Sequence, residues 1–144
     1  AACAFKNEVP VKAYFAAFPA WKIISEAMKE CGNVSAELDQ EIRTKGPAAF
    51  AANPEMYKAG KVVLFFHAGW CPTCQEANKN LTSDPASLPA GVTVVKTDFD
   101  TETDLRQKYG VGVQHTFVQI DADGNELRTW TGSNTGEEIA RKTV

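Results

Sequence analysis

The sequence predicts an α/β fold, a mixed β-sheet flanked by helices and preceded by an N-terminal helical extension. Three stretches predict it. Residues 62–66 (Val-Val-Leu-Phe-Phe) form a continuous apolar run of the kind a sheet buries on both faces, and a small-residue turn leads from it into a helical segment. Residues 92–97 form a second buried-type strand, again followed by a helical segment. Residues 117–121 and 126–130 are strand-like and joined through Asp123-Gly124-Asn125, a turn signal. Alternating strands and helices that close on a hairpin imply a layered α/β sheet. Ligand chemistry in such sheets sits at the carboxyl ends of the strands, and the turn from Phe66 to Cys71 is such an end.

Taken in order, residues 1–58 read as a mainly helical extension and residues 59–144 as the α/β domain. Residues 5–18 are apolar and poorly periodic. Alternation of Val9, Val11, Ala13 and Phe15 suits a strand, while the Ala-rich residues 13–18 suit a helix, and both readings stay open. Pro19 opens a clearer helix with Trp21, Ile24, Met28 and Cys31 on one packing face, and Gly32 stops it. Ser35 caps a helix to about Lys45 with Leu38 and Ile42 as apolar contacts, and Gly46-Pro47 ends it. Residues 48–52 and 53–60 are short helical pieces. After the strand at 62–66, Pro72 fits the first turn of a helix, where a missing N–H is tolerated, and the helix can continue to Leu81. Residues 82–91 are a loop by their turn residues. Thr101 caps a helix to Lys108, the hairpin follows, and Asn134-Thr135-Gly136 opens a last helix over 137–142.

The chemistry lies in Trp70-Cys71-Pro72-Thr73-Cys74. A Cys-x-x-Cys can be half a zinc site or a redox pair. There is no second Cys-x-x-Cys and no spaced His pair, so a structural four-ligand zinc site is poorly supported. A cysteine at a helix N-terminus meets free N–H groups and the positive end of the helix dipole, which favour its thiolate. Cys74, one turn on, can then resolve a mixed disulfide formed at Cys71.

Trp70-Cys71-Pro72-Thr73-Cys74 after an apolar strand resembles the active site of the thioredoxin superfamily. Residues 92–100, ending in Asp98-Phe99-Asp100, resemble the family's next strand. Residues 104–111, with Tyr109-Gly110-Val111, resemble the helix that follows, and residues 116–126 the final hairpin. The resemblance implies a thiol–disulfide oxidoreductase in which Cys71 is the nucleophile and Cys74 the resolving cysteine. It implies that Trp70 shields one side of the site. His115 and Thr116 would line the facing loop, where a substrate backbone could add as a strand. The implied partners are protein thiols and disulfides and an unidentified redox partner. No organic cofactor is implied, because the dithiol itself carries the two electrons.

Several positions depart from the family pattern. His115 stands where the family has a cis-proline; a non-proline cis bond is costly, so a trans bond is expected there. An imidazole near Cys71 could stabilise its thiolate. Phe65 occupies the place of a buried acid that helps deprotonate the resolving cysteine, so that proton shuttle is missing. Without the acid, Lys96 reads as a strand-end charge reaching solvent. The Thr73 hydroxyl could donate a hydrogen bond to a thiolate. His67 reads as a packed or half-exposed strand-end side chain and Glu76 as a solvated helix residue. The alternative function is a metal- or iron–sulfur-binding protein on the same fold, with Cys71, Cys74 and His115 as ligands. A third is a catalytically idle binding module with the leading helices over the site.

Composition bounds these readings. The 144 residues are 44% hydrophobic and 23% charged, ordinary globular values with enough chain for one core. A net charge of −3 leaves no broad basic footprint for nucleic acid. The start at Ala1 without Met is expected of a trimmed or processed chain. Cys3 has three readings: a lipid anchor after a lipoprotein-like Ala-Ala-Cys, which would tether the chain to a membrane; a partner for Cys31 in an oxidising compartment; or, with Cys31, an unrelated thiol. An extracytoplasmic location, periplasmic or membrane-anchored, is expected.

Overall fold

The computed structural model describes residues 4–6, 61–89, 91–121 and 124–144. The described elements are β1 (Ala4–Lys6), β2 (Lys61–His67), α1 (Pro72–Ser83), a 3-10 turn (Pro85–Ser87), β3 (Val92–Asp98), α2 (Thr103–Tyr109), β4 (Thr116–Ile120), β5 (Glu126–Thr131) and α3 (Gly136–Lys142). The strands form one sheet in the order β1-β3-β2-β4-β5. The α/β mixed sheet expected from the sequence is present. Cys3, Cys31 and the helices expected before residue 61 lie outside the described residues.

β2 lies at the centre because its sequence can be covered on both sides. Val62, Val63, Leu64, Phe65 and Phe66 are all buried. It pairs in parallel with β3, Phe65 opposite Lys96, and antiparallel with β4, Phe65 opposite Phe117. The parallel pairing requires a crossover, which α1 supplies. α1 turns Cys74, Ala77 and Leu81 inward, the spacing of one helical face. β1 pairs antiparallel with β3, Phe5 opposite Val94, and so adds an edge strand; residues 9–18, where the sequence leaves strand and helix open, lie outside the described residues.

One row of rings crosses the sheet. Phe65 stacks on Phe117 with centroids 4.7 Å apart, and Phe117 stacks on Trp130 at 5.6 Å. The register dictates this row, since Phe65, Phe117 and Trp130 are successive cross-strand partners. Such pairs add about 0.5–1.5 kcal/mol each beyond the area they bury. The buried Gln119 is fully engaged: Nε2 donates to the Val144 carbonyl at 3.2 Å and Oε1 accepts from the Val144 N–H at 2.8 Å, tying down the C-terminus.

Thr101 does not cap α2 as the sequence suggests. Its hydroxyl donates to Asp98 Oδ2 at 2.8 Å, and the N-cap position falls to Glu102. A nearer carboxylate, three residues back at the end of β3, takes the hydroxyl instead. α2 ends at Gly110, whose φ of 65° is the left-handed conformation that glycine adopts without strain.

α3 starts against the 3-10 turn with no room to spare. A Cβ on Gly136 would collide with Ser87 Oγ and come within 2.9 Å of the Leu88 amide nitrogen. Gly136→Ala is therefore expected to lower stability by about 1–3 kcal/mol, although alanine is the better helix former. Urea unfolding followed by far-UV circular dichroism checks this, and an unchanged or raised midpoint would contradict it.

Candidate active site

The site is built at the carboxyl end of β2. The chain leaves His67 through Ala68, Gly69 and Trp70, and the Cys71 N–H donates to the Ala68 carbonyl at 3.1 Å, closing the turn. Cys71 is the N-cap of α1, with extended backbone (φ −90°, ψ 115°) and Pro72 in the first turn. Its sulfur therefore lies where helical N–H groups have no carbonyl partner, and it accepts the Cys74 N–H at 3.3 Å. Cys71 and Cys74 are both buried free thiols, while the neighbouring Trp70 is 59% exposed. The Trp70 indole N–H donates to Asp100 Oδ2 at 2.9 Å, which holds the ring beside the site.

The two thiols are electrostatically unlike. Burial pushes the Cys71 thiol up, but hydrogen bonds from Cys74, Thr73 and Gln114 outweigh it and bring its pKa down to about 7. Burial, then the hydrogen bond and negative charge of Cys71, push Cys74 up to about 12. An acidic thiol beside a reluctant one is the division of labour that attack and resolution need.

His115 faces this pair. No cis peptide bond occurs among the described residues, so the 114–115 bond is trans, as expected. The unusual torsion is the one that follows. His115 has φ 60°, left-handed for a non-glycine residue, a conformation that persists only where its surroundings hold it. They do: its N–H donates to the Phe66 carbonyl at 2.9 Å, and its carbonyl accepts the Gly132 N–H at 3.3 Å. The imidazole is buried, packed against Phe65 and Phe117 with centroids 5.7 and 5.6 Å away. Nε2 lies 2.6 Å from the Ser133 carbonyl oxygen and Nδ1 2.9 Å from Thr73 Oγ1. Thr73 Oγ1 in turn lies 3.2 Å from Cys71 Sγ. His115 thus reaches Cys71 through Thr73.

The other expected residues take these places. Thr116 opens β4, and its hydroxyl donates to the Val113 carbonyl at 2.8 Å, shaping the facing loop. His67 is half-buried, its ring edge-on to Phe65 at 5.5 Å; burial, then the Lys96 charge, hold its pKa below the ordinary value. Lys96 does not simply reach solvent, since Nζ donates to Asn78 Oδ1 at 3.3 Å. Glu76 is exposed. Phe65 fills the place of the family's buried acid with an apolar ring.

One ligand atom each from Cys71, Cys74 and His115 lie within 4.8 Å of one another. Two sulfurs and an imidazole suit a thiophilic ion in chemical type. Both ring nitrogens are already engaged, however, and the Thr73 hydroxyl occupies the Nδ1 position that would face the ion. The arrangement as built is a hydrogen-bonded chain, and a metal does not fit it without displacing Thr73.

Sequence reasoning missed Ser133, Gln114 and Asp100. Ser133 acts through its backbone carbonyl, which no side-chain pattern signals. Gln114 and Asp100 are loop residues whose roles depend on how the chain returns to the end of β2.

The thioredoxin family model matches residues 42–143. Among solved structures, the chain is similar to a thioredoxin-like protein from Edwardsiella tarda, at 27% identity over 65% of this chain and 89% of that one, with a TM-score of 0.48. A mutant thioredoxin from Halobacterium salinarum matches at 29% identity over 57% of this chain and 68% of its own, with a TM-score of 0.45. The germline-specific thioredoxin Deadhead of Drosophila melanogaster matches at 25% identity over 64% and 84%, with a TM-score of 0.46.

The pKa values separate the thiols by reactivity. In the reduced protein the rate of Cys71 alkylation by iodoacetamide should rise through a midpoint near pH 7, because the thiolate is the reactive form and its pKa is about 7. Cys74, at about 12, should stay unlabelled through mild alkalinity. Peptide mapping after timed labelling checks this, and equal rates at both cysteines near neutral pH would contradict it.

Proposed function

The chain belongs to the thioredoxin family, and from that premise we propose that it is a thiol–disulfide oxidoreductase that reduces disulfides of protein substrates. The observation that carries this reading is the placement of Cys71 Sγ at the N-cap of α1, accepting the Cys74 N–H at 3.3 Å, with Cys74 one turn behind it.

The Cys71 thiolate attacks one sulfur of a substrate disulfide. A Cys71–substrate disulfide forms and the other substrate sulfur leaves as a thiolate. Cys74 then attacks Cys71 Sγ as its proton passes to the departing substrate sulfur, which closes the Cys71–Cys74 disulfide and releases the second substrate thiol. Two electrons pass from the dithiol to the substrate. The exposed Trp70 and Val113, 59% and 56% accessible, offer apolar contact for a protein partner on either side of the site.

The acidity of the nucleophile supports the reducing direction. Strong oxidases hold their reactive cysteine near a pKa of about 3.5, whereas thioredoxin's stands at about 7. Cys71, at about 7, falls with the reductants.

Equilibration with glutathione buffers, read by Trp70 fluorescence, is expected to give a reduction potential close to about −270 mV, the thioredoxin end of the scale. A value near about −120 mV would overturn the assignment as a reductant. Insulin reduction should be lost in Cys71→Ser, and Cys74→Ser should accumulate the mixed disulfide with substrate. Absence of that adduct would overturn the exchange mechanism itself.

A further inference from the structure

The hydrogen-bond polarity around His115 is fixed by one atom. The Ser133 carbonyl oxygen can only accept, so Nε2 at 2.6 Å carries a proton. In the neutral imidazole Nδ1 is then a bare lone pair. Thr73 Oγ1, 2.9 Å away, must donate its proton to Nδ1. That leaves the Thr73 oxygen as an acceptor toward Cys71, so the 3.2 Å contact is a bond from the Cys71 thiol to Thr73. Every donor points the same way, from Cys71 to His115.

We propose that Cys71, Thr73 and His115 form a proton relay that generates the Cys71 thiolate. The Cys71 S–H bond breaks as an O–H bond forms on Thr73, and the original Thr73 O–H bond breaks as an N–H bond forms on His115 Nδ1. No electron is transferred and no proton leaves the site. The products are a Cys71 thiolate that accepts the Thr73 hydroxyl and the Cys74 N–H, and an imidazolium that donates to Thr73 and Ser133. Opposite charges at this range, with both groups buried, stabilise each other.

The backbone is organised for this pairing. The left-handed φ of His115 is held by the Phe66 and Gly132 hydrogen bonds, with the ring packed on Phe65 and Phe117. Thr73 is exposed, so its hydroxyl is not required to fill a core. The other titratable groups around the imidazole are Cys74 from α1 and His67 from the end of β2, across the Phe65 ring, with Lys96 and Asp98 of β3 acting on His67. β4 presents the Phe117 ring. The relay rests on the thiol–disulfide reading for its purpose, and it assigns Thr73 and His115 as positioning and proton-accepting residues of that chemistry.

Two measurements on reduced protein test it, and neither needs a substrate. The first is the pH–rate profile of Cys71 alkylation in Thr73→Val, Thr73→Ser, His115→Asn and the Thr73→Val/His115→Asn double variant. Asparagine tolerates the left-handed backbone. Thr73→Val and His115→Asn should each slow labelling at about pH 6 by roughly tenfold, a midpoint raised by about one unit. The double variant should slow it no further, because each single change already breaks the relay, and Thr73→Ser should restore the profile. A His115→Asn profile that superimposes on the unmodified protein, or a double variant whose effect is the product of the two, would overturn the relay. The second uses the unmodified chain, so no variant has to fold. Nitrogen NMR of the His115 ring above the Cys71 midpoint, where the thiolate formed by the relay is the populated form, should show Nδ1 protonated in the reduced protein and bare after Cys71 and Cys74 are oxidised to a disulfide. A bare Nδ1 in both states would overturn it. Because both readouts are independent of turnover, loss of the relay leaves disulfide exchange standing, and failure of exchange leaves the relay to be judged alone.

Discussion

The hydrogen bond from His115 Nε2 to the Ser133 carbonyl is the constraint on which the site depends. A carbonyl cannot donate, so this 2.6 Å contact decides the tautomer, and the tautomer decides which way Thr73 and Cys71 point their protons. Its position is itself the product of packing. The indole N–H of Trp130 donates to Ser133 Oγ at 3.0 Å, and Trp130 is the last member of the ring stack that starts at Phe65. The core sets Trp130, Trp130 holds Ser133, and Ser133 orients His115, which packs back on Phe65 and Phe117.

The end of β2 gathers everything else. The Phe66 carbonyl accepts the His115 N–H and the His67 carbonyl accepts the Phe99 N–H at 2.8 Å. The loops after β3 and before β4 are thereby pinned to the strand that feeds Cys71 into its helix. Side chains from distant parts of the sequence can sit within hydrogen-bond reach because three segments share one strand end, as the chemistry of α/β sheets generally requires. Cys71 gains a helical N–H there, Thr73 follows it on the first turn, and His115 arrives from the far side.

Much of this was legible in the sequence, for definable reasons. The continuous apolar run at 62–66 has the pattern of a doubly covered strand, and Pro72 two residues past Trp70 fits a helix's first turn. Cys71 and Cys74 stand out as a Cys-x-x-Cys at that helix start and through the family resemblance. His115 was recognisable because it departs from a family pattern. What it touches was not, because its partner at Nε2 is a backbone carbonyl and its partner at Nδ1 is a residue 42 positions away. Thr101 misled because serine and threonine caps are assigned from local order alone, and a carboxylate at the end of β3 competes for the same hydroxyl. The strand at Ala4–Lys6 depends on an edge of β3 that no local pattern could announce.

The two departures at Phe65 and His115 belong together. An acid at position 65 would have to lie among Phe117, His67 and His115, each of which contacts the Phe65 ring. Burying a carboxylate in a ring stack is costly unless it is paired, and Lys96, the cation opposite position 65 on β3, already donates to Asn78. With a phenyl ring instead, the stack continues unbroken from Trp130 to the floor of the active site, and that floor gives the imidazole an apolar surface to rest on. Proton handling then falls to the loop side, where the hydroxyl of Thr73 bridges the gap that the imidazole alone does not close. The same ring that removes a base from position 65 supports the buried histidine that faces the nucleophile.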